Sequence, residues 1–181
     1  MTGSRGDLEQ LASQEVGTGA RDVHVGEAAG PERRIGAEVH ELPVDGCPFA
    51  RGVDHQLATV SARVERGAID ASRLAPAYQR YAPPRLLELL VASRPAGDED
   101  LVVVHGSYGL GGVHLEHGAV TGYADVGRAG VADRYVDLAI AARELAHTIS
   151  PEALGPFFVE YGIDYPDLRK IDFYVLLDEL V

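Results

Sequence analysis

Asparagine is absent from the 181 residues, lysine occurs once, at Lys170, and cysteine once, at Cys47. One thiol cannot close an internal disulfide and excludes a Cys-rich zinc site, a usage that fits the reducing cytoplasm. Basic residues are scarce, 16 Lys and Arg against 28 Asp and Glu, for a formal charge of -12. That balance argues against a nucleic-acid backbone or an anionic membrane as partner and favours a cationic one. No apolar run approaches the roughly 20 residues that span a bilayer. A basic start followed by a hydrophobic stretch, the mark of a signal peptide, is also lacking. What the chain does have is apolar material: 46% hydrophobic residues and a mean hydropathy of -0.04. This suffices for one sizeable core, and hence for one domain with a loose extension.

Residues 1–31 mix Gly, Ser, Thr and charges without a sustained period and are expected to be poorly ordered, "LEQLASQ" forming at most a helical turn. Residues 32–181 carry the folded unit. Ile35, Val39 and Leu42 recur at helical spacing before "PVDGCPF" breaks the pattern, which predicts a short helix and a turn. Val53, Leu57, Val60 and Val64 mark a longer amphipathic helix stopped by Gly67, and "PPRLLELLVAS" opens another on proline. The period then changes. Leu101 to Val104 is an apolar strand, while "VHLE" and "AVTGYADV" flank His117-Gly118 as a hairpin, together predicting a small buried sheet. Helices resume at Asp133, whose side chain can cap "RYVDLAIAARELAH" with Leu138, Ala142 and Leu145 inward. Ser150-Pro151-Glu152 signals a further start and Gly162 a stop, ahead of a last helix in "YPDLRKIDFYVLLDELV".

The chemistry concentrates between Asp100 and Ala139, where the strand runs into "HGSYGLGG" and the hairpin ends in "YADVG". Three simple motifs fail here. The nucleophile elbow of hydrolases requires Gly where His105 stands and a helix after the serine, whereas Val113 onward reads as strand. "GSYGLGG" lacks the third glycine of a dinucleotide loop and the helix that should follow. In "HLEH", His114 and Glu116 share a strand face while His117 falls in the turn, a poor three-ligand metal site.

A longer pattern succeeds. "LPVDGCPFARGVD", "DEDLVVVHG", "GYADVGRAGVADRYVDLAIAARELA" and "IDFYVLLDELV" occur in the order and near the spacing of one family. From about Ile35 to Val181 the chain resembles the C-terminal lobe of the aminoglycoside 3'-phosphotransferases, bacterial antibiotic-resistance enzymes with a protein-kinase-like fold. The resemblance implies an α/β (α+β) fold: a mostly helical kinase-like C-lobe with a small central sheet and hairpin. It implies ATP and Mg2+ as cofactors and O-phosphorylation of an aminoglycoside as the activity.

Set against that pattern, the sequence departs at the positions that matter most. Ser107 stands at the family's catalytic Asp, and Gly112 at its metal-binding Asn. Serine does not accept a proton as a carboxylate does, and glycine offers magnesium no side-chain oxygen. Asp125 matches the magnesium-binding Asp of the kinase Asp-Phe-Gly type. The β-rich N-lobe, with its Gly-rich loop and phosphate-orienting lysine, has no counterpart before Ile35. On the substrate side Asp178 and Glu179 match the family's acidic pair, with the terminal carboxylate of Val181 beside them and Arg128 and Arg143 at family positions. Ser72, Arg73 and Ala75 stand where acidic or amide acceptors are expected. By the same resemblance His105, Asp133 and Asp137 are architectural. The expectation is a truncated, catalytically impaired family member, with an N-lobe encoded separately as one partner and a cationic small molecule as the other. The alternative is a non-catalytic protein that binds cationic ligands.

Overall fold

The computed structural model describes residues 37–181 apart from Gly118. The expected poorly ordered extension over 1–31, the turn in "LEQLASQ" and the place of Ile35 in the short helix lie outside the described residues. Six α-helices and two two-stranded antiparallel sheets make up the described part. In chain order these are α1 (Ala37–His40), α2 (Val53–Glu65), α3 (Pro83–Ala92), β1 (Leu101–Val104), β2 (Val113–Glu116), β3 (Ala119–Tyr123), β4 (Gly130–Asp133), α4 (Tyr135–Thr148), α5 (Leu154–Tyr161) and α6 (Leu168–Leu180). No helix among them is long and apolar enough to cross a membrane.

Helix α4 is the axis of the core. Every residue from Tyr135 to Ala142 is buried, a pattern expected of a helix covered on all sides rather than on one stripe. Phe173, Tyr174, Leu177 and Leu180 of α6 pack with it in one apolar cluster, together with Val60 of α2 and Leu86 and Leu90 of α3. Local signals set the ends. Asp167 caps α6 by accepting from the amides of Arg169 (2.9 Å) and Lys170 (3.3 Å). Gly162 ends α5 in the left-handed region, at φ 92°.

Two expectations are corrected. The strands do not form one sheet: β1 pairs with β4, from Leu101 opposite Asp133 to Val104 opposite Gly130, while β2 and β3 pair separately. "GVAD" is too short to show alternation, and its partner lies about thirty residues upstream, so the pairing is non-local. Asp133 therefore ends a strand instead of opening the helix, although its Oδ1 still accepts from the Tyr135 amide at 2.9 Å. The short helix expected around Val39 is present as α1 and ends at His40, which leaves Leu42 52% exposed in the turn that follows.

Among the described residues Asp133 and Lys170 form the most buried ion pair made by a lysine or arginine. The lysine Nζ lies 2.6 Å from Asp133 Oδ2, with side-chain exposures of 15% and 1%, and 5.2 Å from the Tyr135 ring centre. Removing one member of such a pair leaves a buried charge without compensation. Lys170→Met is expected to lower the unfolding free energy by roughly 3–5 kcal/mol, read by urea titration. A loss below about 1 kcal/mol would be the behaviour of a surface pair.

Candidate functional site

Below β1 the chain must reverse tightly, and Gly106 makes this possible with φ at 83°. A Cβ at this position would lie 2.3 Å from the Arg128 carbonyl oxygen, so the close approach of the two segments requires glycine as much as the dihedral does. The loop's amides are held from behind by Asp137 of α4, which is 1% exposed. Its Oδ2 accepts from His105 N–H at 2.7 Å and its Oδ1 from Gly106 N–H at 2.8 Å. His40 of α1 adds a third donor, Nε2 at 3.0 Å, while its Nδ1 meets the Tyr161 hydroxyl at 2.6 Å.

His105 ties the loop to the hairpin. Its Nδ1 accepts from the Ser107 amide at 3.2 Å, which leaves the ring proton on Nε2 to be donated to the Ala124 carbonyl at 2.8 Å. Tyr108 and Tyr123 flank the ring, each 5.8 Å from its centre. Burial pushes both phenols up, Tyr108 beyond the ordinary tyrosine range, so both remain protonated, and neither hydroxyl meets a hydrogen-bond partner among the described residues. Asp125 follows Ala124 and adopts left-handed backbone, φ 58° and ψ 41°, before the turn Val126–Arg128. Aspartate tolerates that region better than most side chains. One imidazole thus fixes Ser107 and Asp125 relative to each other.

Arg128 closes the far side. Its Nε donates to the Gly106 carbonyl at 2.7 Å and its Nη2 to Asp178 Oδ1. Arg143 Nη2 reaches Asp178 Oδ2 at 2.7 Å, and its Nη1 reaches Glu179 Oε1 at 3.4 Å. Glu179 Oε2 accepts from the Ala75 amide at 2.7 Å. The loop that lacks family acceptors at Ser72, Arg73 and Ala75 is therefore tied down by Glu179, and Asp70 caps its turn through Ser72. Val181 is half-buried against the core, its amide donating to Leu177 O at 3.1 Å.

These groups enclose a cleft of about 320 Å³ lined by Ser107, Gly109, Gly111, Gly112, Asp125, Arg128, Ile140, Arg143, Glu144 and Asp178. Five expected site residues, Ser107, Asp125, Arg128, Arg143 and Asp178, share it; Glu179 stands behind Arg143, and Val181 is not on the lining. Glu144 was missed in the sequence. Its signal was its place one turn after Ile140, which puts both on the same face of α4. For a magnesium ion the donor set is half assembled: Asp125 offers a carboxylate and Gly112 nothing, so most ligands would be phosphate and water oxygens. No group of three His, Cys, Asp or Glu among the described residues could hold a metal by itself.

A His-Gly loop anchored by a buried helix carboxylate, facing an aspartate at the end of a hairpin, defines the C-lobe of a kinase-like phosphotransferase. Residues 9–174 match the family described as "Phosphotransferase enzyme family", and the chain belongs to it. It is 42% identical over 148 residues to an aminoglycoside 3'-phosphotransferase of Streptomyces fradiae, covering 78% of this chain and 54% of that one. The chain spans about half the length of the curated relatives it matches. Among solved structures it is similar to an aminoglycoside-3'-phosphotransferase of type VIII, with TM-score 0.74 and 38% identity over 81% of this chain and 57% of that one. It is also similar to an aminoglycoside phosphotransferase of Streptomyces rimosus in complex with ADP and streptomycin, with TM-score 0.70 and 29% identity over 80% of this chain and 58% of that one.

The two departures at the loop differ physically. Ser107 borders the cleft, whereas a Cβ at Gly112 would meet His105 Cε1 at 3.3 Å and the Ala124 and Ser107 carbonyls at 3.4 Å. Ser107→Asp is expected to change stability by less than about 1 kcal/mol, and Gly112→Asn to cost about 1–3 kcal/mol by overpacking. Gly106→Ala should cost at least about 2 kcal/mol through backbone strain and collision. Chemical denaturation of the three variants checks this order.

Proposed function

We propose that residues 32–181 act as the C-lobe of an ATP-dependent aminoglycoside O-phosphotransferase whose own phosphoryl-transfer chemistry is impaired. The observation that carries this reading is that Ser107 and Asp125 line the same cleft, with His105 bonded to the Ser107 amide and to the carbonyl of Ala124, the residue before Asp125. A positioned carboxylate contributes typically 10²–10⁴-fold to such a reaction, and a serine hydroxyl cannot replace it as proton acceptor at neutral pH. Asp125 is the magnesium ligand in this reading. Arg128, Arg143 and Asp178 build the substrate wall in this reading, Glu179 supports it from behind Arg143, and Val181 stands off the lining. The single lysine is held by Asp133 and is not on the cleft lining, so orienting the nucleotide phosphates would fall to a strand-rich lobe outside residues 32–181. The setting is cytoplasmic, where ATP is available.

A second reading is favoured by the charge of the cleft. Asp125 and Glu144 line it with no hydrogen-bond or ion-pair partner recorded among the described residues, so it suits a cationic ligand whether or not transfer follows.

A coupled assay with ATP, magnesium and streptomycin is expected to give only background ADP release from the 181-residue chain. Aminoglycoside-dependent release that disappears in Asp125→Ala would show that the loop still supports transfer and would refute the impairment.

A further inference from the structure

We infer that a second cavity, between the loop of residues 94–99 and the first turns of α6, binds a small zwitterion of the α-amino acid class, with its carboxylate on Lys170 and Tyr174 and its ammonium on Glu99. The cavity encloses about 170 Å³ and shares no lining residue with the cleft, so the inference stands apart from the phosphotransferase reading. Sites for drug-sized molecules typically measure about 300–1,000 Å³. The smaller space restricts the occupant to a few heavy atoms.

Tyr174 supplies the first observation. Its side chain lines the cavity and is only 3% exposed, yet burial and nearby charge alone act on its hydroxyl, with no hydrogen bond among the described residues. Buried hydroxyls are ordinarily paired, so an open one on a cavity wall fits an acceptor that arrives from outside. The charges acting on it belong to Asp133, Glu99 and Arg94, all on the same lining. Burial, followed by the two carboxylates, pushes the phenol up, so it keeps its proton to donate.

Lys170 lies four residues before Tyr174 on α6, which puts both on one helix face. An ammonium has three N–H donors, and Asp133 Oδ2 takes one at 2.6 Å. No other acceptor for Nζ is recorded among the described residues. A carboxylate shared between Nζ and the Tyr174 hydroxyl would complete both. Glu99 offers the opposite sign: its Oε1 accepts from Val53 N at 2.7 Å, and its Oε2 has no recorded partner among the described residues. A Cβ on Gly52 would lie 3.1 Å from that oxygen, so the glycine keeps it clear.

The balance of charge selects the class of ligand. Arg94 and Lys170 stand against Asp98, Glu99 and Asp133, and this carboxylate surplus repels a plain oxoanion. A plain amine would leave the Lys170 and Tyr174 donors without an acceptor and bring a second cation beside the ammonium. A carboxylate and an ammonium carried on one carbon satisfy both sides through charge-assisted hydrogen bonds.

Saturation-transfer NMR on the full 181-residue chain tests this with L-alanine, and with acetate and methylammonium as probes of a single charge. L-alanine is expected to bind saturably and about tenfold more tightly than either control. Tyr174→Phe removes only the unpartnered hydroxyl, and Glu99→Gln keeps an acceptor for the Val53 amide. Each is expected to weaken L-alanine by about tenfold with the melting temperature near the parent value. The assignment is overturned by a parent chain that does not bind L-alanine, by a control that binds as tightly, or by unchanged affinity in either folded variant. Tyr174→Phe alone decides if Glu99→Gln does not fold.

Discussion

The carboxylate of Asp137 sits where three parts of the chain meet, and most of the cleft depends on it. A tight turn after β1 leaves the His105 and Gly106 amides pointing inward, where water cannot reach them. Buried donors without partners carry a desolvation penalty of about 1–3 kcal/mol each. Asp137 satisfies both and also accepts from His40, so the loop, α1 and α4 share a single anion. From that anchor the order is propagated outward: His105 holds Ser107 and Ala124, and Arg128 bridges Gly106 to Asp178. Apart from the local Ser107–His105 bond, each link is a hydrogen bond between positions far apart in sequence, which gives the cleft its shape without a large sheet beneath it.

Much of this was legible in the sequence because it is written in local terms. Helices α2, α3 and α4 follow from apolar spacing, while Gly67 marks the end of α2, Pro83 the start of α3 and Gly162 the end of α5. The His-Gly loop, the "YADVG" turn and the terminal "LLDEL" were readable as motifs, and five of the expected residues do meet in one cleft. What escaped has a common cause. Strand β4 is defined by a partner about thirty residues earlier, and neither its four residues nor their composition carries that information. Glu144 looked like any exposed helix glutamate until the loop around Gly109 was placed against it.

Charge balance could not be read from composition either. The acidic surplus suggested carboxylates waiting for a cation, and Asp178 and Glu179 were the natural candidates. In three dimensions they are matched by Arg128 and Arg143, because α4 and the turn after β3 converge on the end of α6. A helix C-terminus disfavours negative side chains, and the two guanidiniums offset that repulsion. Two of the cleft's carboxylates without a recorded partner among the described residues, Asp125 and Glu144, lie elsewhere on its lining.

Gly112 carries a consequence for how this chain can change over time. A side chain at position 112 would press on His105, Ala124 and Ser107 at 3.3–3.4 Å, so these neighbours must give by a few tenths of an ångström. Position 107 opens onto the cleft and can be altered with little strain. The two positions are thus unequal in tolerance: one is a door left ajar, the other opens only against pressure. Substitutions at Gly112 are therefore coupled to His105, the residue on which the alignment of loop and hairpin rests.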